Sequence, residues 1–185
     1  MEGFLAAFTL VLLAEMGDKT QLIAMTFAAR YSWRPVMAAI LAATLANHGL
    51  AVALGVLLGG MLPAWEMRLA GSLAFIGFGL WTLFGGEEED EELREGRSPF
   101  WTVATTFFLG EMGDKTQLAV LTIAAESGAW LPVLSGSTAA MMLADGMGIV
   151  LGAALQKRVS PERMKRISAL VFLACGAAGL YSAFA

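Results

Sequence analysis

Cysteine and histidine are nearly absent from this chain of 185 residues: there is one of each, Cys175 and His48, with only two tyrosines and five prolines. One cysteine excludes an intramolecular disulfide and a CxxC metal site. A single histidine leaves no HExxH helix, and the chain contains no GxSxG, no Walker motif and no other nucleophile–base pair. Charge is scarce as well, at 15% of residues, against about 25% in ordinary soluble domains. Lys and Arg number 12 against 16 Asp and Glu, for a net charge of −4. These shortages exclude an ordinary water-soluble enzyme, a nucleic-acid binder and a disordered chain. The start, Met1-Glu2-Gly3, lacks the basic n-region of a cleavable signal peptide, so the apolar stretch behind it reads as permanent.

What is abundant is apolar surface. Hydrophobic residues make up 57% of the chain and the mean hydropathy is +0.67. A bilayer span needs about 20 mostly apolar helical residues, and six stretches qualify: 3–29, 35–61, 67–85, 99–125, 131–155 and 164–184. Pro35 and Pro132 stand where a first helical turn tolerates a missing N–H. Trp33, Trp65, Trp101 and Trp130 fall near span ends, as interfacial anchors do. The predicted fold class is therefore an all-α integral membrane protein with six transmembrane helices. Basic residues fix the expected orientation: Arg30, Arg34, Arg94, Arg97, Lys157, Arg158, Arg163, Lys165 and Arg166 share one side, and Arg68 stands alone on the other. The positive-inside rule makes the rich side cytoplasmic and puts both termini outside.

The chain divides into 1–86, a linker over 87–98, and 99–185. The linker carries seven carboxylates in the nine positions Glu87 to Glu95. It reads as a solvated cytoplasmic hinge, or else as a loose cation-collecting or regulatory segment. The two flanking parts are copies of each other. Glu15-Met16-Gly17-Asp18-Lys19-Thr20-Gln21-Leu22 recurs letter for letter as Glu111-Met112-Gly113-Asp114-Lys115-Thr116-Gln117-Leu118. Trp33-Arg34-Pro35-Val36 answers to Trp130-Leu131-Pro132-Val133, Leu45-Ala46-Asn47 to Leu143-Ala144-Asp145, and Phe75 to Phe172. Three spans per copy is an odd number, so the second copy enters the membrane from the opposite face. The expectation is two inverted three-helix repeats with a site near the midplane between them.

The repeated motif puts charge in the middle of the first and fourth spans. Each charged residue at a helix centre costs about 2.5–3.5 kcal/mol, so Glu15, Asp18, Lys19, Glu111, Asp114 and Lys115 must face inward and be compensated. Glu and Asp three apart project from one helix face, so their carboxylates can converge. Gly17 and Gly113 allow close approach or a local break that exposes carbonyls. Thr20, Gln21, Thr116 and Gln117 add neutral oxygens. An all-oxygen set suits Ca²⁺, Mg²⁺ or Mn²⁺ rather than zinc. The two lysines reduce the motif charge from −4 to −2, which one divalent ion balances. Carboxylates crowded in a low-dielectric site repel one another, so some hold protons when no cation is present. The alternative is structural: i,i+4 pairs Glu15–Lys19 and Glu111–Lys115 that only lock the halves together.

Asn47 and Asp145 hold equivalent repeat positions and are polar within apolar runs. Asp145 is a fifth intramembrane carboxylate, a candidate ligand or proton carrier, or a structural partner of a motif lysine. His48 fits packing, or ion and proton handling. Thr44, Ser135, Ser137 and Thr138 fit a path lining or helix–helix glue. Met16 and Met112 fit soft ligation favouring Mn²⁺, or packing.

With both motif copies in hand, the chain resembles the duplicated E-x-G-D-[KR]-[ST] membrane family, which includes Golgi calcium/manganese transporters and bacterial MneA-type manganese exporters. The resemblance runs over essentially the whole chain. It implies secondary active export of Mn²⁺, and in some members Ca²⁺, against protons, with no cofactor. It makes Glu15, Asp18, Glu111 and Asp114 the cation-binding carboxylates; Lys19, Thr20, Lys115 and Thr116 carry over as motif residues. The start at Met1 suggests a compact prokaryotic member in the cytoplasmic membrane. A Ca²⁺/H⁺ exchanger and a passive divalent-cation channel are the competing readings; an enzyme is not expected. Expected partners are the divalent cation and the lipid bilayer, with a lone chain and a homodimer both open.

Overall fold

A computed structural model of the chain describes residues 2–61, 63–84, 98–158 and 161–184. The linker expected over 87–98 lies, apart from Ser98, outside the described residues. Among the described residues there are eight helices and no strand: α1 Glu2–Glu15, α2 Lys19–Arg30, α3 Trp33–Met61, α4 Ala64–Phe84, α5 Pro99–Gly110, α6 Lys115–Ser127, α7 Trp130–Arg158 and α8 Pro161–Phe184. The all-helical expectation holds. Two expected spans do not form single helices: 3–29 is divided into α1 and α2, and 99–125 into α5 and α6.

Both interruptions have the same local cause. Gly17 and Gly113 adopt φ of 77° and 85°, left-handed values that end a helix and that only glycine takes at little cost. The chain then passes through one residue, Asp18 or Asp114, before the next helix begins at Lys19 or Lys115. At each break the Asp amide turns back onto the Glu carbonyl, Asp18 N–H to Glu15 O at 3.1 Å and Asp114 N–H to Glu111 O at 3.2 Å. The other boundaries follow ordinary signals. Ser98 caps α5 by accepting from the Trp101 N–H, with Pro99 beginning the helix. Gly128, left-handed at φ 62°, closes α6.

The halves interlock rather than sit side by side. α1 packs on α7 as α5 packs on α3, and α2 packs on α7 as α6 packs on α3. α4 packs on α8 and α3 on α7. Exchanging the halves turns the first four of these contacts into one another and leaves the α4–α8 and α3–α7 pairings unchanged. Phe75 and Phe172, equivalent in the repeat, meet with ring centroids 5.9 Å apart at the α4–α8 pairing. Close helix approach uses small residues: a Cβ on Gly55 or Gly59 would run into the backbone carbonyls of Leu121 and Ala125, so α3 lies directly on α6.

The buried apolar residues form clusters that each draw on both halves. Phe27, Val36, Ile40, Val103 and Phe107 join α2, α3 and α5, and Ala7, Val11, Val52, Val120 and Val133 join α1, α3, α6 and α7. Trp33–Met61 and Trp130–Val150 are long and apolar enough to cross a membrane; Arg68–Phe84 and Ala169–Phe184 are shorter apolar helical stretches.

Candidate functional site

The two helix breaks place the motif side chains. Glu15 ends α1 and Glu111 follows α5 as its C-cap; both are buried. Asp18 and Asp114 stand at the starts of α2 and α6. One carboxylate oxygen each from Glu15, Asp18 and Asp114 lies within 4.8 Å of the others. The group draws two members from the first motif and one from the second. Sequence spacing let the Glu and Asp of each motif converge and left open whether the four carboxylates form one site or two; Glu111 is not in this close group, although its charge interacts with that of Glu15, Asp114 and Asp18.

The lysine of the second motif makes a pairing that spacing did not suggest. The Lys115 ammonium pairs with the Asp18 carboxylate, across the halves and not along its own helix to Glu111. The side chains are 10% and 11% exposed, so water does little to screen the pair. The reason is geometric: the break at Gly113 ends α5, so Glu111 and Lys115 do not share the unbroken helix that an i,i+4 contact needs. The matching expectation for Glu15 and Lys19 involves a Lys19 side chain outside those described.

The neutral motif residues organise the carboxylates and the breaks. Thr20 Oγ1 donates to Glu15 Oε2 at 2.9 Å, and Thr116 Oγ1 to Glu111 Oε2 at 3.4 Å. Gln21 and Gln117 each accept, on Oε1, the N–H of the left-handed glycine of their own motif, at 2.9 Å from Gly17 and 2.7 Å from Gly113. The other end of each amide reaches into the opposite half. Gln21 Nε2 donates to the Ala144 carbonyl on α7 at 2.8 Å, and Gln117 Nε2 to the Asn47 carbonyl on α3 at 3.3 Å. The glutamines thus tie each break to the long helix of the other repeat. No sequence signal marks a backbone carbonyl as a partner, so this role was not readable in advance.

The second-span residues divide in two. Asn47 Nδ2 donates to the Phe108 carbonyl in the last turn of α5 at 2.9 Å. Its repeat counterpart Asp145 is completely buried, and neither of its carboxylate oxygens has a hydrogen-bond partner among the described residues. Glu15 Oε1, Asn47 Oδ1, His48 Nδ1 and Thr138 Oγ1 are likewise buried without a partner there. His48 and Ser137 are buried, whereas Ser135 and Met112 are exposed. The ensemble is a buried, oxygen-rich, net-negative centre at two helix interruptions, able to hold a hard cation or protons.

Comparison with known proteins gives the same direction. Over 169 residues the chain is 35% identical to a protein of Vibrio cholerae serotype O1 named "Putative manganese exporter", covering 90% of this chain and 84% of that one. It is 26% identical over 216 residues to GDT1-like protein 5 of Arabidopsis thaliana, covering 95% and 94%, and 26% identical over 194 residues to a GDT1-like protein of Synechocystis sp., covering 93% of each. No solved structure matches. The profile of the family described as Divalent cation/proton antiporter GDT1 matches residues 3–90 and 99–185. The chain belongs to the divalent cation/proton antiporter GDT1 family.

Proposed function

We propose that this chain exports Mn²⁺ across a membrane in exchange for protons, by alternating access to a carboxylate site between two inverted repeats. The observation that carries the reading is the convergence of Glu15, Asp18 and Asp114 from both motif copies. A site shared by two repeats changes its exposure when one repeat rocks against the other. The exchanged contacts between the halves support the inverted arrangement. In this reading α1 with α2, and α5 with α6, each make one crossing, giving six spans with α3, α4, α7 and α8. Outward-facing Leu5, Leu57, Trp81, Leu170 and Tyr181 suit contact with lipid.

Glu15, Asp18 and Asp114 are the cation ligands in this proposal, with Glu111 adding negative charge close by. Thr20 and Thr116 hold glutamate oxygens in place, and Gln21 and Gln117 link the opening of one repeat to the long helix of the other. Mn²⁺ is favoured as substrate because the relative at 35% identity is named as an exporter of that metal. The proposed location is the cytoplasmic membrane of a prokaryote, with the acidic linker inside and both termini outside.

The test is flux in reconstituted vesicles. An imposed pH gradient is expected to drive saturable Mn²⁺ uptake that is lost in Asp18→Asn and Glu15→Gln. Mn²⁺ movement indifferent to the pH gradient would instead indicate a passive pore. Gradient-driven movement of Ca²⁺ with none of Mn²⁺ would reassign the substrate.

A further inference from the structure

The two halves of the site differ chemically at one buried pair of equivalent positions in particular. Asn47 and Asp145 correspond in the two halves. Asn47 always carries amide hydrogens, and one is spent on the Phe108 carbonyl in the last turn of α5. The carboxylate at Asp145 has the same shape but no hydrogen to donate unless it is protonated. It is completely buried, and both oxygens lack a hydrogen-bond partner among the described residues. A buried charge without partners is costly, and the group escapes the cost by binding a proton or a cation.

The surroundings favour the proton. The charges that act on or from Asp145 belong to Asp18 at the first break, Glu15 at the end of α1 and Glu111 beyond α5, all of them carboxylates. Of the other helices packed against α7, α3 carries His48 near its middle and α6 begins with Lys115, whose ammonium is engaged with Asp18. Asp145 is also absent from the close group of three carboxylates suited to the metal.

We infer that Asp145 carries a proton exchanged for the divalent cation. When the Glu15–Asp18–Asp114 group is empty, Asp145 is a neutral carboxylic acid that, like the Asn47 amide, carries a hydrogen to donate. When a divalent cation enters that group, the added positive charge releases the proton from the Asp145 carboxyl to water at the open face, leaving a carboxylate. One repeat thus holds a permanent hydrogen-bond donor and the other a donor that comes and goes with the proton. This rests on the antiporter reading and adds a proton site distinct from the metal ligands.

Asp145→Asn keeps the shape and supplies the hydrogen permanently, reproducing the residue present at position 47. Three measurements on the purified protein are compared with wild type: protons released on Mn²⁺ addition in detergent, Mn²⁺/Mn²⁺ exchange in vesicles at equal pH, and Mn²⁺ uptake driven by a pH gradient. Asp145→Asn is expected to release about one proton fewer per Mn²⁺ bound, to exchange Mn²⁺ within a few-fold of wild type, and to lose gradient-driven accumulation. Asp145→Glu, which restores the acid, is expected to recover accumulation with a displaced pH profile. Proton release and gradient drive that survive in Asp145→Asn would overturn the inference alone. Loss of Mn²⁺ binding and of exchange together would also overturn it, by making Asp145 a metal ligand. A wild-type protein with no gradient-driven flux would overturn the antiporter reading itself.

Discussion

Lys115 of the second motif copy pairs with Asp18 of the first, so the two identical octapeptides are joined through a charge from each. The pair contributes at once to holding the halves together and to the charge of the carboxylate group, because Asp18 belongs to both.

Removing the Lys115 ammonium takes a buried countercharge away from a group of mutually repelling carboxylates. Lys115→Met is therefore expected to lower the unfolding temperature in detergent sharply. Adding Asp18→Asn to it should recover part of the loss, because one of the repelling carboxylates is then neutral. Thermal unfolding of the two single variants and the double variant checks this; additive losses would show that the pair is not coupled.

The left-handed glycines give a second prediction. Gly17→Ala and Gly113→Ala place a Cβ where an L-residue pays about 1–2 kcal/mol. Space is open around Gly113, so the cost there is conformational and not steric. Gly113→Asn is expected to be milder than Gly113→Ala, since asparagine tolerates this region better. Unfolding temperature and Mn²⁺ flux read the order Gly, Asn, Ala.

Gly55 differs because its constraint is contact with α6 rather than φ. A Cβ there meets the Leu121 carbonyl and the Ala124 side chain. Gly55→Val is expected to force α3 off α6 and destabilise by about 1–3 kcal/mol, as overpacked cores do. Gly60, with open space beside it, is the control: Gly60→Ala should change the unfolding temperature little.

Binding of the cation should itself be visible as stability. A ligand held only by the folded state stabilises it by about 2.7 kcal/mol at 100 times its dissociation constant. Mn²⁺ is expected to raise the unfolding temperature of the wild type, and Glu15→Gln to remove most of the rise. Lowering the pH protonates carboxylates that the metal requires, so the Mn²⁺-dependent rise should shrink as pH falls. A titration of unfolding temperature against Mn²⁺ at several pH values checks both.

Much of the organisation was legible in the chain because it depends on local or repeated chemistry. The exact repetition of Glu15–Leu22 at Glu111–Leu118 marked two copies, and the family match spans both. Apolar runs announced helices, and Ser98-Pro99 announced where one begins. The matched Phe75 and Phe172 do meet, as equivalent residues across interlocked halves can. The breaks were only half legible. Gly17 and Gly113 permitted an interruption, but a glycine inside an apolar run is equally compatible with close packing, as at Gly55.

The sequence by itself determined an all-helical, twice-copied chain with charged residues set in apolar surroundings, because periodicity, composition and identity are properties of residues in order. Only the tertiary structure decided that Lys115 serves Asp18, that Glu15, Asp18 and Asp114 form the close carboxylate group, and that Asn47 donates to the Phe108 carbonyl while neither carboxylate oxygen of Asp145 has a partner among the described residues. Those outcomes depend on which backbone carbonyls and side chains from the other half arrive within about 3 Å, the range of a hydrogen bond. No spacing within one helix fixes that, because it is set by how two halves that are far apart in the chain pack into one another.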